Sequence, residues 1–239
     1  MNYSIVVLVS ASTEWKVVRS FYPDCTIEET PYGEMFSQDN LLFLHGGIGK
    51  ISAAASTQFC IDRFSPQLII NLGTCGGFIG EVDKGDIVLA TGTIVYDIID
   101  QMGPADATIN YYSTELDLSF LTKPYPQKVI SNVIVSGDRD LLSEDIPNLK
   151  KRWGAVAGDW ESGSIAWVCK RNNINCLILR GVSDLVGKSG GEAYEDFSVF
   201  EEGAKLVMTK LLNKLPQWIS QSKTQSATTQ IKVNAPLSQ

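Results

Sequence analysis

The chain has 239 residues, 44% hydrophobic and 20% charged, which suits a single soluble domain with a well-buried core. A formal net charge of −7 and an isoelectric point near 4.8 argue against a nucleic-acid partner, because no basic stripe faces a phosphate backbone. Five cysteines (25, 60, 75, 169 and 176) and the single histidine, His45, lack the spacing of a zinc site or a disulfide framework. No metal or other cofactor is expected, and the free thiols point to a reducing, cytoplasmic setting.

The first apolar run, residues 5–9, has no positive residue ahead of it and is a poor signal peptide. It reads instead as a strand within residues 3–9, turning into a helix near Glu14 with Ser12 or Thr13 as N-cap. No run reaches the roughly 18 apolar residues of a spanning helix, so no membrane partner is expected. Residues 25–45 alternate β-prone pieces with turn residues and predict antiparallel hairpins, with 41–44 the most buried piece.

Gly46-Gly47-Ile48-Gly49-Lys50 then opens a helix over 51–63, with Ile51, Ala54, Ala55 and Phe59 on one face. The glycines either make a tight packing turn or cradle an anion on backbone N–H groups; the spacing is not that of a P-loop. Residues 68–72 form another buried strand that runs into Gly73-Thr74-Cys75-Gly76-Gly77, a second glycine-rich strand end open to the same two readings.

Residues 86–90, 94–98 and 132–135 read as strands, 100–113 as a loop, 115–121 as a short helix, and 142–153 as a helix around Pro147. The stretch 158–187 alternates strand, helix and strand: 155–158, then Ile165, Val168 and Cys169 at helical spacing, then 176–179. Glu161 then lies at one strand end and Ser183-Asp184 at the next, where α/β sheets bind ligands, so both carboxylates face one crevice. A flexible flap follows at 187–191. Phe197, Phe200, Ala204, Val207, Leu211 and Leu215 mark a long amphipathic helix. Residues 1–219 make one domain, and the Ser, Thr and Gln-rich segment 220–239 reads as a disordered tail.

One histidine leaves a Ser-His-Asp triad improbable, so carboxylates must supply acid and base. Glu14, Glu161 and Asp184 lie just past predicted strand ends; the competing reading of each alone is an acid in a helix's first turn, favoured by the dipole.

Taken in order, GGIGKISAA, IINLGTCGG, GDIVLATGTIVYD, SGD, DWESGSIA and RGVSD resemble the nucleoside phosphorylase and nucleosidase superfamily, and within it the methylthioadenosine/S-adenosylhomocysteine nucleosidases. The similarity extends over residues 3 to about 215. It implies one α/β domain with a mixed central β-sheet flanked by helices, usually a homodimer, that hydrolyses the N-glycosidic bond of a purine nucleoside. By the same resemblance Glu14 activates the water, Glu161 binds the ribose 2′ and 3′ hydroxyls, and Asp184, beside Ser183, protonates the purine at N7. Thr74 is a ribose or water contact, Leu141 offers backbone groups to the purine edge, and Tyr194 lies against the nucleoside.

The chain departs from the family twice. Trp160 replaces the usual methionine before Glu161, and Asp140 stands where an aromatic residue stacks on the purine. Related phosphorylases hold phosphate with arginines where this chain has Glu14 and Asn71, so hydrolysis is expected. A phosphorylase, a nucleosidase of different base preference, and an inactive nucleoside-binding protein are the alternatives.

Overall fold

Short β-branched runs and amphipathic stretches alternate along the chain, and the computed structural model describes residues 3–104 and 106–222. The elements are β1 (Ile5–Val9), α1 (Ser12–Phe21), β2 (Glu28–Thr30), β3 (Gly33–Gln38), β4 (Leu41–His45), α2 (Gly49–Phe64), β5 (Leu68–Phe78), β6 (Ile87–Val95), α3 (Ala107–Tyr112), β7 (Thr114–Glu115), β8 (Ile130–Ser136), α4 (Ile146–Trp153), β9 (Ala157–Asp159), α5 (Ser162–Arg171), β10 (Asn175–Gly187), β11 (Gly190–Gly191) and α6 (Phe197–Gln221). Among the described residues no helix is long and apolar enough to cross a membrane.

The strands form one mixed sheet in the order β11-β10-β6-β8-β9-β5-β1-β4-β3-β2, with β7 on β6. Strand β10 pairs with both β5 and β6, so β5, β10, β6, β8 and β9 close into a ring, and β1 to β4 extend it as an open wing. Strand β1 shows why both faces need cover. Its Val6 and Leu8 pack toward α2 and α5, while Ile5, Val7 and Val9 pack toward α1 and α6. Period-two side chains on a strand with a helix layer on each side must all be apolar, and these are.

Several expectations are corrected. The N-cap of α1 is Ala11, because the Glu14 carboxylate accepts the Ala11 N–H at 3.0 Å and no hydroxyl cap is needed. Helix α2 buries Ala53, Ser56, Thr57, Cys60, Ile61 and Phe64, while Ile51 is 84% exposed. Small residues allow close packing there, and Ser56 and Thr57 return their hydroxyls to the Ala53 carbonyl. The runs 86–90 and 94–98 are largely one strand, β6, carried across a register shift between Ala90 and Gly92. The loop 100–113 contains α3, and β7 with irregular chain occupies 115–121 in place of a helix.

Strand β5 continues through its glycines, and β10 runs to Gly187. The expected flap is a tight β10–β11 hairpin, with Val186 paired to Gly191 and Gly187 to Gly190. Helix α6 includes Ser220 and Gln221, and Ser222 bridges to Leu121; the rest of the expected tail, 223–239, lies outside the described residues.

Candidate active site

The crevice does not arise as two strands ending on one side of a parallel sheet. Strand β9, which delivers Glu161, is antiparallel to β5, whereas β10 is parallel to β5. The two acids reach one cavity because the 13-residue β10 runs on alongside β5, so that Asp184 pairs with Gly76, the residue that pairs with Gly158 of β9 on the other side. A register shift between Val182 and Asp184 makes Ser183 an extra residue in that strand. Such a bulge re-aims the following side chain.

All nine residues singled out in the sequence line a single cavity of about 600 Å³: Glu14, Thr74, Asp140, Leu141, Trp160, Glu161, Ser183, Asp184 and Tyr194. Glu14 reaches it from the first turn of α1 and is only 1% exposed. Its Oε1 accepts the Thr74 N–H at 2.6 Å and the Thr74 hydroxyl at 2.7 Å, and its Oε2 accepts from Ala11. A carboxylate offers about four acceptor positions, so one is left for a further donor. Thr74 thus holds Glu14 as well as lining the cavity.

Glu161 precedes α5. Its Oε1 accepts the Gly49 N–H at 3.0 Å, and its Oε2 faces Arg180 Nη2 at 3.4 Å. The glycine-rich turn at 46–50 therefore does bind an anion, but one belonging to the protein, with Asp138 taking the adjacent Lys50 N–H at 2.7 Å. Burial pushes the Glu161 carboxyl up to about 7; Arg180 opposes the shift and Asp159 adds to it.

Arg180 and Asp159 were not singled out in the sequence, and they organise the floor. Arg180 is 1% exposed, forms an ion pair with Asp159 at 2.7 Å, and donates to the Ser162 hydroxyl at 2.9 Å, Asn71 Oδ1 at 2.9 Å and the Thr74 carbonyl at 3.3 Å. Asp159 also accepts from the Ser136 and Ser162 hydroxyls. Gly73 is required by this arrangement, because a Cβ there would run into the Arg180 guanidinium. A charged residue in the middle of the apolar run CLILRGVSD was the available signal, since an arginine is almost never fully buried unless paired.

At the other end, Asp184 is 5% exposed, and its Oδ1 accepts the Ser183 hydroxyl at 2.6 Å. Burial raises its pKa above the ordinary carboxylate value; the Ser183 hydrogen bond opposes this, Glu192 and Asp140 add to it, and Lys84 opposes it. The Tyr194 hydroxyl donates to the Leu141 carbonyl at 2.9 Å, tying the segment after β11 to the loop after β8. Trp160 forms wall beside Glu161, and Phe197 and Phe200 complete an aromatic side. Among the described residues no cluster of His, Cys, Asp and Glu is placed to hold a metal ion.

One acid held by hydrogen bonds and another kept protonatable by burial in the same cavity are the pair that carboxylate acid–base chemistry needs. The family model of the phosphorylase superfamily matches residues 28–215. The 5′-methylthioadenosine/S-adenosylhomocysteine nucleosidase of Buchnera aphidicola is 32% identical over 197 residues, 77% of this chain and 85% of that protein. The Helicobacter pylori enzyme of that same name superposes with a TM-score of 0.75 at 20% identity, covering 91% of this chain and all of that one. The Helicobacter pylori futalosine hydrolase superposes at 0.73 with 21% identity, over 89% and 97% of the two chains. The chain belongs to the phosphorylase superfamily, on the branch of the nucleosidases.

Proposed function

We propose that the chain hydrolyses the N-glycosidic bond of purine nucleosides of the 5′-methylthioadenosine and S-adenosylhomocysteine type, releasing free base and a ribosyl product. The observation that carries the choice of water over phosphate is the neutralisation of Arg180. Every side of its guanidinium is engaged, and Glu14, Asp159 and Glu161 outnumber it. The floor stays net negative whether or not Glu161 carries a proton, and it repels a phosphate dianion.

In this reading Glu161 uses its two remaining acceptor positions on the ribose 2′ and 3′ hydroxyls. The C1′–N9 bond breaks with its electron pair passing to the base, while Asp184 gives its proton to N7. Water adds to C1′ opposite the departing base, and Glu14 accepts the water's proton through its one open position. The carboxylates around the sugar favour the oxocarbenium-like transition state over the neutral substrate.

The relatives named as methylthioadenosine and adenosylhomocysteine nucleosidases support the substrate class. The two Helicobacter pylori folds carry different names, so the fold leaves the 5′ group open. A homodimer fits the exposed apolar side chains Ile48, the N-cap of α2 on the cavity wall, Ile51 on α2, and Ile99 and Met102 in the loop after β6, near Asp97, which accepts from Lys50. The free cysteines support a cytoplasmic setting. The test is product analysis on methylthioadenosine, adenosylhomocysteine, adenosine, inosine and guanosine, with and without phosphate. Free base plus free sugar at a rate indifferent to phosphate is expected; a sugar phosphate as product contradicts hydrolysis.

A further inference from the structure

Five acids line the cavity, and four of them are held by donors from the protein: Glu14, Asp159, Glu161 and Asp184. Asp140 is the exception. Among the described residues no hydrogen-bond donor and no cation of the protein lies on its carboxylate. The cation next along the chain, Arg139, is turned onto Asp145 and over the Tyr96 ring at 5.5 Å. The Tyr194 hydroxyl on the same cavity wall is committed as well, donating to the carbonyl of Leu141. Asp140 is close enough to Asp184 and Tyr194 for its charge to act on both. Asp140 is solvent-exposed, so water solvates its carboxylate until a ligand in the cavity displaces that water and takes its place.

We propose that Asp140 determines base specificity, its carboxylate accepting an N–H from the 6-amino group of a purine whose N7 faces Asp184. This rests on the nucleosidase reading, which assigns N7 to Asp184. N7 and the 6-substituent are neighbours on one edge of a purine, so a base that turns N7 to Asp184 turns its 6-substituent along the same wall. A 6-amino group brings the missing donor. A 6-oxo group brings a second acceptor, and the carboxylate then faces a carbonyl in space from which the base has expelled water. Leaving a desolvated anion unpaired costs more than losing a neutral hydrogen bond. The aromatic contact with the base falls to the other walls of the cavity, Trp160 and Tyr194 among them.

The experiment compares kcat/KM for 5′-methylthioadenosine and 5′-methylthioinosine, which differ only at position 6, in the wild type, Asp140→Asn and Asp140→Ala. The wild type should favour the 6-amino substrate by about 100-fold or more, the scale on which a polar site rejects a mismatched analogue. Asp140→Asn offers a donor as well as an acceptor, and should shrink that ratio at least ten-fold by gaining on the 6-oxo substrate. Asp140→Ala should lower the 6-amino rate and, with the anion that faces the 6-oxo group gone, raise the 6-oxo rate. A ratio that stays at the wild-type value in both variants, or a wild type that prefers the 6-oxo substrate, overturns the role of Asp140 and leaves the nucleosidase reading standing. Turnover of neither substrate by the wild type removes both. A second measure needs no variant: the wild type should bind free adenine at least ten-fold more tightly than hypoxanthine, and equal affinities contradict the proposal.

Discussion

Glu161 has two opposing surroundings, and its proton reports which one wins. Burial and Asp159 favour the neutral form, while Arg180 and the Gly49 N–H favour the charged one; the result is a carboxyl near 7 against an ordinary value of 4.5. A folded-state pKa above the unfolded one means that the native protein binds this proton more tightly. The resulting stability is fully present below about pH 4.5 and is lost as pH rises through about 7. A shift of this size corresponds to at most about 3 kcal/mol. Urea unfolding from pH 5 to 8 should therefore show stability falling with pH, and Glu161→Gln should flatten that slope; an unchanged slope in the variant means that Glu161 does not titrate there. In the proposed mechanism the ionised form accepts the two ribose hydroxyls, so kcat/KM should rise through the same range.

Which of these residues could be read in advance follows from their physical situation. Glu14 and Glu161 stand just past strand ends, and Asp184, though inside β10, sits in the polar pair Ser183-Asp184, where an acid is conspicuous; the family resemblance adds their roles. Arg180 and Asp159 lie within strands and are satisfied by each other and by Asn71 and Ser162, partners from distant parts of the chain. Nothing local marks such a pair except the implausibility of an unpaired charge in a buried strand.

At the scale of elements, apolar runs such as those in β1, 42–44 of β4 and 176–179 of β10 are legible because every residue in them is buried. The glycine-bearing strands are not. In β5, Gly73 leaves room for the Arg180 side chain, and in α6, Gly203 brings the helix against the Ser183 carbonyl, which a Cβ would strike. Both glycines answer to a distant side chain or backbone, so reading glycine as punctuation ended β5 too early. The bulge at Ser183 belongs to the same class of feature, since only pairing with β5 reveals the extra residue. The misplaced face of α2 has the converse cause. Ala, Ser, Thr and Cys make a buried face by fitting closely, and a count of large apolar residues selects the wrong side.

For the whole molecule, the sheet ring brings acids from four separate stretches of chain into one cavity whose floor holds a buried cation without exposing positive charge. That arrangement accounts for water as the nucleophile in a superfamily named for phosphorolysis. Met102, fully exposed, and Ile51, 84% exposed, are apolar surface that the proposed homodimer would cover. Sedimentation equilibrium should give the mass of two chains, and Ile51→Glu combined with Met102→Glu should halve it; a wild type already at the single-chain mass contradicts the dimer.

The central claim is that Asp184 acts by protonating the leaving base, and the most direct measurement compares two leaving groups. Asp184→Asn and the wild type are assayed on methylthioadenosine and on 4-nitrophenyl ribofuranoside, whose phenolate departs without a proton. General acid catalysis is worth about 10²- to 10⁴-fold, so the variant should lose that much on the nucleoside and keep nearly all its rate on the nitrophenyl compound. Equal losses on both, or no loss on the nucleoside, contradict the account.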